Sequence, residues 1–252
     1  MAKRGIIYFV LFIFKCVLIF PISNNRTNSV EFNKSEIFNL ASNGLSHNIE
    51  SQTDILKKLN SDFLNSINDG DSAKARILSN TILINLTKDG IDSLTLSNSR
   101  YYLGVYYLLS GRNMEAINWL KLSILVREQL GQKDETLVKS NFNLGVAFHN
   151  LGDFISMEKY TIVALEEEKA LKKTNSNSLI LSCLYSLITA KFGLNEYDMA
   201  IKYGEEALKV MNEFTIDINS EILGLYANIG ISYARLSDYS KALLFFEKAD
   251  LL

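Results

Sequence analysis

The sequence predicts an all-α chain, an α-solenoid of about five antiparallel helix pairs. Three observations carry this. One skeleton recurs four times at spacings of 41, 43 and 42 residues, with a weaker fifth copy upstream. Apolar residues within each copy fall three and four apart, the period of a helix face. One proline in 252 residues, against 13 glycines, leaves long helices uninterrupted.

The skeleton is a pair of residues, Leu103-Gly104, Leu144-Gly145, Leu187-Ile188 and Ile229-Gly230. Three residues later stand Tyr107, Phe148, Lys191 and Tyr233, and then a polar turn. The turns read Gly111-Arg112-Asn113, Gly152-Asp153-Phe154, Asn195-Glu196-Tyr197 and Ser237-Asp238-Tyr239. Small residues follow at Ala116, Ala164, Ala200 with Ala207, and Ala242 with Ala249. With the pair taken as positions seven and eight, repeats start near 97, 138, 181 and 223. The weaker copy starts near Leu56 and carries Gly70-Asp71-Ser72 and Ala75.

Within a copy, Tyr101–Leu109 and Met114–Leu130 read as partner helices, with Ile117, Leu120, Ile124 and Val126 on the apolar stripe. Stops are expected at Lys88-Asp89-Gly90, Leu130-Gly131-Gln132, Thr174-Asn175-Ser176 and Thr215-Ile216-Asp217. Gly and Asn accept the left-handed position after a helix, and Asp, Asn or Ser cap the next one. Gly104, Gly145, Ala116 and Ala200 let paired helices approach closely, and bulky neighbours fill the remaining space.

Residues 1–23 differ in kind. Lys3 and Arg4 precede an 18-residue apolar run, Gly5 to Ile22, broken by Lys15, and the chain turns polar at Asn24. This pattern fits a secretory signal peptide ending at Ser23, or a membrane anchor. Both readings put the body outside the cytoplasm, periplasmic or secreted if cleaved and anchored facing outward if not. Ile13, Phe14 and Lys15 before Cys16 do not form a small-residue lipid-attachment box. Residues 24–55 form a pre-repeat segment that is partly helical, and 56–252 form the array.

Composition removes several function classes. Net charge is −2 overall, and −5 once the three basic residues of the leader are set aside, with no long single-sign run, so nucleic acid is not an expected partner. Two cysteines, one of them in the leader, leave Cys183 as the only thiol of the body and allow no internal disulfide. His47 and His149 stand far apart in sequence, which argues against a His-based metal or catalytic site. There is no phosphate loop, nucleophile elbow, HExxH or CxxC. The reading is a protein without catalysis and without cofactor or metal. The run Glu166-Glu167-Glu168 beside Lys172 reads as a solvated helix face.

The skeleton resembles the tetratricopeptide repeat (TPR) family over roughly residues 56–252. The fifth copy fits best, with Ile229, Gly230, Tyr233, Asp238, Tyr239, Ala242, Phe246 and Ala249. The third has Met157 and Thr161 where an Ala and an aromatic are usual, and the fourth has Lys191 at the aromatic position. Glu128, Lys169 and Asn212 stand where the short repeat often ends in proline. The period of about 42 is similar to kinesin light chain repeats and to bacterial sensor arrays, and the stretch Arg127 to Asp134 strengthens that likeness.

The resemblance implies a right-handed superhelix whose first helices line a concave groove for a protein or peptide ligand. The family's groove positions fall here on Tyr101, Val105 and Leu108, then Phe142, Val146 and His149. They continue with Tyr185, Thr189 and Phe192, then Ala227, Ile231 and Arg235. The Lys/Asn clamp that one subgroup closes on a C-terminal carboxylate is absent. Its places hold Tyr101/Val105, Phe142/Val146, Tyr185/Thr189 and Ala227/Ile231.

Two functions are expected from this. One is an exported interaction module. The other is the sensor half of a bacterial histidine kinase or transcriptional regulator. The apolar run Ala242 to Phe246 further suggests self-association, or continuation of the array, through the last helix.

Overall fold

The computed structural model describes residues 51–171, 177–213 and 220–251. The leader, most of the pre-repeat segment and the expected stops at 174–176 and 215–217 lie outside them. Ten α-helices and no strand occur among the described residues. They are α1 Gln52–Asn68, α2 Ser72–Asn85, α3 Ser93–Leu109, α4 Asn113–Gln129 and α5 Glu135–Asn150. The rest are α6 Phe154–Leu171, α7 Asn177–Gly193, α8 Tyr197–Glu213, α9 Ser220–Arg235 and α10 Tyr239–Asp250. The odd helices, the first of each pair, begin at steps of 41, 42, 42 and 43 residues, so the sequence period is the period of the fold.

The first helices are longer than the apolar pattern indicates. The second pair shows why: α3 starts at Ser93, not Tyr101, and its added turns are Ser/Thr/Asn-rich. Those residues have modest helix propensity. They are nonetheless helical and packed, with Thr95 2%, Ser97 0% and Ser99 0% exposed. Asp92 opens the helix by accepting the Thr95 N–H at 2.9 Å. The Thr95 hydrogen bonds hold its carboxyl below the ordinary range.

The chain divides into two compact units, Met1–Tyr102 and Leu103–Leu252. In the first unit α1 packs against α2, and Leu56, Phe63, Ala75 and Ile82 are buried between elements. Asn60 donates to Ser99 Oγ at 3.0 Å, and the Phe63 and Tyr102 rings meet at 5.8 Å. In the second unit each helix from α4 to α10 packs on the next in sequence. Its core is Leu103, Leu120, Leu144, Leu184, Leu187, Ile188, Met211 and Ile229 with their neighbours, each close to fully buried. Burying one such side chain is worth about 2 kcal/mol.

All five pairs close with the same turn. Gly70, Gly111, Gly152, Asn195 and Ser237 have φ of 72, 73, 75, 60 and 64°. In each, the N–H of this residue and of the next one bond back to the helix just ended. For α5, Gly152 N–H bonds His149 O at 2.9 Å and Asp153 N–H bonds Phe148 O at 3.0 Å. This is the Schellman arrangement, and it satisfies carbonyls that the helix end leaves open. The residue after it then caps the second helix: Asp71, Asp153 and Asp238 accept from Lys74, Ser156 and Lys241 N–H. Arg112 has no such acceptor and instead pairs with Glu115 at 2.7 Å and lies 4.6 Å over the Tyr107 ring.

Close approach follows the glycines. A Cβ on Gly104 would stand 2.6 Å from Leu120 Cγ, and one on Gly145 would stand 2.5 Å from Thr161 Oγ1. The fourth pair has Ile188 at this register, and Gly204 sixteen residues on. Gly204's space is taken by Ile229 of α9, 2.6 Å from the Cβ it lacks. In α10 Phe246 is 39% exposed, although the same register is filled by Ser79, Leu120 and Thr161 at 2, 0 and 1% exposure. Leu243 and Leu244 of that helix are also exposed.

Gly145→Ala is expected to lower stability by about 1–3 kcal/mol, because the contact leaves no room for a methyl. Ser237→Gly is expected to raise it by about 0.5 kcal/mol, relief of the left-handed strain less the added freedom of the unfolded chain. Urea midpoints at unchanged m-value check both.

Candidate partner-binding face

The residues at the groove positions come from the first helices α3, α5, α7 and α9, at equivalent registers. The structure sorts them by burial. Leu108, Phe142 and Val146 are 5, 1 and 8% exposed and belong to the core. Tyr101, Val105, His149, Tyr185, Thr189, Phe192 and Ala227 are half-buried, and Ile231 and Arg235 are exposed. Tyr101 lies in the first unit and the others in the second. Phe142 is buried because α5 is enclosed by α4, α6 and α7, so ten of its sixteen residues are interior.

The half-buried side chains are held by neighbours near the turns. The His149 ring meets Phe154 edge-on at 6.2 Å, and Phe154 packs into the space that Gly193 leaves. Phe192 meets Tyr197 edge-on at 5.4 Å. Thr189 donates its hydroxyl to Tyr185 O at 3.1 Å, so its methyl remains for contact. Burial holds the His149 imidazole below its ordinary pKa, against the opposing hydrogen bond with Asn150.

Lys191 stands at the aromatic position of the fourth copy, a departure from the skeleton. In the structure it is 6% exposed and pairs with Glu158 of α6 at 2.6 Å and with Glu196 at 2.5 Å. Burial pulls this ammonium down, but the two carboxylates outweigh it and hold the pKa above the ordinary lysine range. The signal was present: where Tyr107 faces Arg112 in the second pair, the fourth has Lys191 and Glu196 five residues apart. The change is a matched exchange at the turn, with Glu158 tying it to the preceding pair.

Arg127 and Glu168 are the other buried charges among the described residues. Glu168 is 4% exposed and Glu167 half-buried, so of the run Glu166-Glu167-Glu168 only Glu166 is on a solvated face, because α6 is covered by α5 and α7. Arg127 is 1% exposed, and its Nε donates to Asp134 Oδ1 at 2.9 Å. The same carboxylate oxygen accepts the Leu137 N–H at 2.9 Å, so one aspartate caps α5 and anchors α4. Cys183 is buried and its thiol is pushed far up by burial, which removes it from thiolate chemistry. Among the described residues no three His, Cys, Asp or Glu side chains gather as a metal site, and no helix is long and apolar enough to cross a membrane.

Two outcomes are expected from this geometry. Lys191→Ala, which strands Glu158 and Glu196, is expected to cost about 3 kcal/mol, and Lys191→Met less, because its stem still fills the space. His149 has a folded-state pKa below its unfolded value. Its contribution is therefore present above the unfolded value of about 6.5 and is lost as pH falls through the folded value. Between pH 7.5 and 5.5 the wild type is expected to lose more stability than His149→Gln, read by denaturant titration at each pH.

No family model matches the chain, and no curated protein matches it. Solved structures do. BtubC (BKLC) from P. vanneervenii is 20% identical, with a TM-score of 0.66 over 86% of this chain and 85% of that one. A kinesin light chain of P. anserina with nearly identical TPR-like repeats is 13% identical, with a TM-score of 0.66 over 81% and 96%. A Rap protein complexed with Competence and Sporulation Factor is 13% identical, with a TM-score of 0.59 over 85% of this chain and 57% of that one. At these identities the likeness concerns the fold, and it agrees with the repeat period. The chain has a TPR-like fold of helix pairs, the first helices starting 41–43 residues apart.

Proposed function

We propose that this chain is an interaction module that takes a protein or peptide partner on the exposed side of its first helices. No chemistry of its own is needed. The observation that carries this is the run of Tyr185, Thr189 and Phe192 on α7, with His149 on α5 and Ile231 on α9. These apolar and aromatic side chains stay partly open to solvent at equivalent registers. Exposed aromatics gain most when a partner covers them. Leu108, Phe142 and Val146 then form the packed layer beneath the face and are not contacts. The Rap neighbour, whose structure holds a bound factor, supports the reading by fold alone.

Export is part of the proposal and rests on the leader pattern of residues 1–23. A second reading, self-association through α10, is favoured by one observation, the exposure of Phe246 at a register that interior pairs bury. A second copy covering that face would give a concentration-dependent mass in light scattering, abolished by Leu243→Lys. A monomer at all concentrations would remove this version.

The groove assignment is tested by affinity capture from the exported fraction with wild type and a Tyr185→Ala/Phe192→Ala double variant. Both sites are half-buried, so the variant is expected to keep its helical circular dichroism while losing most of its captured partner. Equal recovery of every partner by a folded variant would sink the assignment.

A further inference from the structure

The second unit has a cleft on its second helices, away from the residues of the proposed groove. It measures about 700 Å³ and runs between α4 and α6 over α5. Leu122, Leu125, Ile124 and Val163 line its middle, and Leu144 of α5 forms the floor. Leu122 and Leu125 are 39 and 48% exposed. These two residues sit three apart on one face of α4, so they form a stripe that solvent reaches.

The ends of the cleft carry opposite charge. Lys121 and Lys159 line one end, where Lys121 lies 5.7 Å over the Phe148 ring and Lys159 5.5 Å over Tyr160. The Phe148 and Tyr160 rings stack at 5.4 Å between them. Glu128 lines the other end, and Glu167 lies beside it, accepting from Asn141 Nδ2 at 3.1 Å. Burial raises the Glu167 carboxyl above its ordinary range against the Asn141 hydrogen bond, and the Glu128 charge adds to the rise, with Lys133 opposing it. A cation placed between the two carboxylates would relieve that repulsion.

The neighbouring pair of second helices shows what such a cation does. Between α6 and α8, Lys169 Nζ reaches Glu206 Oε1 at 2.7 Å and ties the two helices together. The registers of Lys169 and Glu206 correspond to Glu128 and Val163 in the α4/α6 cleft. There the tie is missing, an acid stands in the place of the lysine, and the space between is apolar.

We infer that the α4/α6 cleft docks an amphipathic helix from a partner protein, its apolar stripe on Leu122, Leu125 and Val163. Its basic end lies on Glu128 and its acidic end toward Lys121 and Lys159. The basic residue supplies from outside the charge that Lys169 supplies within the array. The apolar stripe gives the contact area, and the exposed charges set direction more than affinity. This surface goes beyond the proposed groove and does not depend on it.

The test uses the full chain and a fluorescein-labelled helical peptide of about 18 residues, long enough to follow the cleft. The peptide carries a leucine stripe, lysines at one end and glutamates at the other. A control peptide has glutamates at both ends. Anisotropy is expected to show the first peptide binding about tenfold more tightly than the control. Leu125→Lys, at a solvent-reached site, is expected to weaken it at least about tenfold. Glu128→Lys is expected to reverse the preference toward the control peptide. Tyr185→Ala/Phe192→Ala is expected to leave both affinities unchanged, which separates this surface from the groove. Absence of binding at about 1 mM peptide would overturn the inference. So would affinities unmoved by Leu125→Lys and Glu128→Lys, or hydrogen-exchange protection on α7 or α10 in place of α4 and α6.

Discussion

The fold depends on one backbone constraint, repeated five times: a residue at positive φ between the two helices of each pair. It ends one helix, satisfies that helix's last carbonyls, and delivers the next residue as the cap of its partner. Three residues of turn are enough, so the second helix folds straight back on the first. The register that brings Gly104 onto Leu120 and Gly145 onto Thr161 is a consequence of that short connection. A longer or right-handed turn would move those contacts by part of a helical turn, and the close approaches would be lost.

Side chains secure the second pair to the third and the third to the fourth. Asp134 caps α5 while holding buried Arg127 of α4, and Lys191 of α7 reaches back to Glu158 of α6. Buried ion pairs of this kind contribute little net stability against a well-packed apolar alternative, but breaking one is expensive. They fix which faces meet. The consequence for function is that side chains at one register of successive first helices, and at another of successive second helices, are held at set spacings. A partner can then be read along either set, by aromatic contact on one and by an apolar stripe with charged ends on the other.

Much of this was legible in the sequence because period and turn chemistry are local. Gly111, Gly152, Asn195 and Ser237 marked the turns correctly, and Gly104 and Gly145 marked the close approaches. Helix starts were less visible, since the first turns of α3 are serine- and threonine-rich and become helical only when Thr95, Ser97 and Ser99 are packed. Burial of the groove set was not legible either. Phe142 and Tyr185 hold the same register, yet one is enclosed by three helices and the other remains half open, a difference that arises from neighbours distant in sequence. Lys191 looked like an error in the repeat, because its partner Glu158 is thirty-three residues away. The α4/α6 cleft left no motif at all, since it depends on residues missing a bridge that the next pair has.

The central claim is that every pair turns through a left-handed residue, including the two turns without glycine. Backbone φ at Asn195 and Ser237, from three-bond HN–Hα couplings and carbonyl shifts in solution NMR, tests it most directly. The account predicts positive φ near 60° at both, with the N–H groups of Glu196 and Asp238 protected from exchange by their bonds to Lys191 O and Tyr233 O. Negative φ at either residue, or free exchange of those amides in the folded chain, would contradict it.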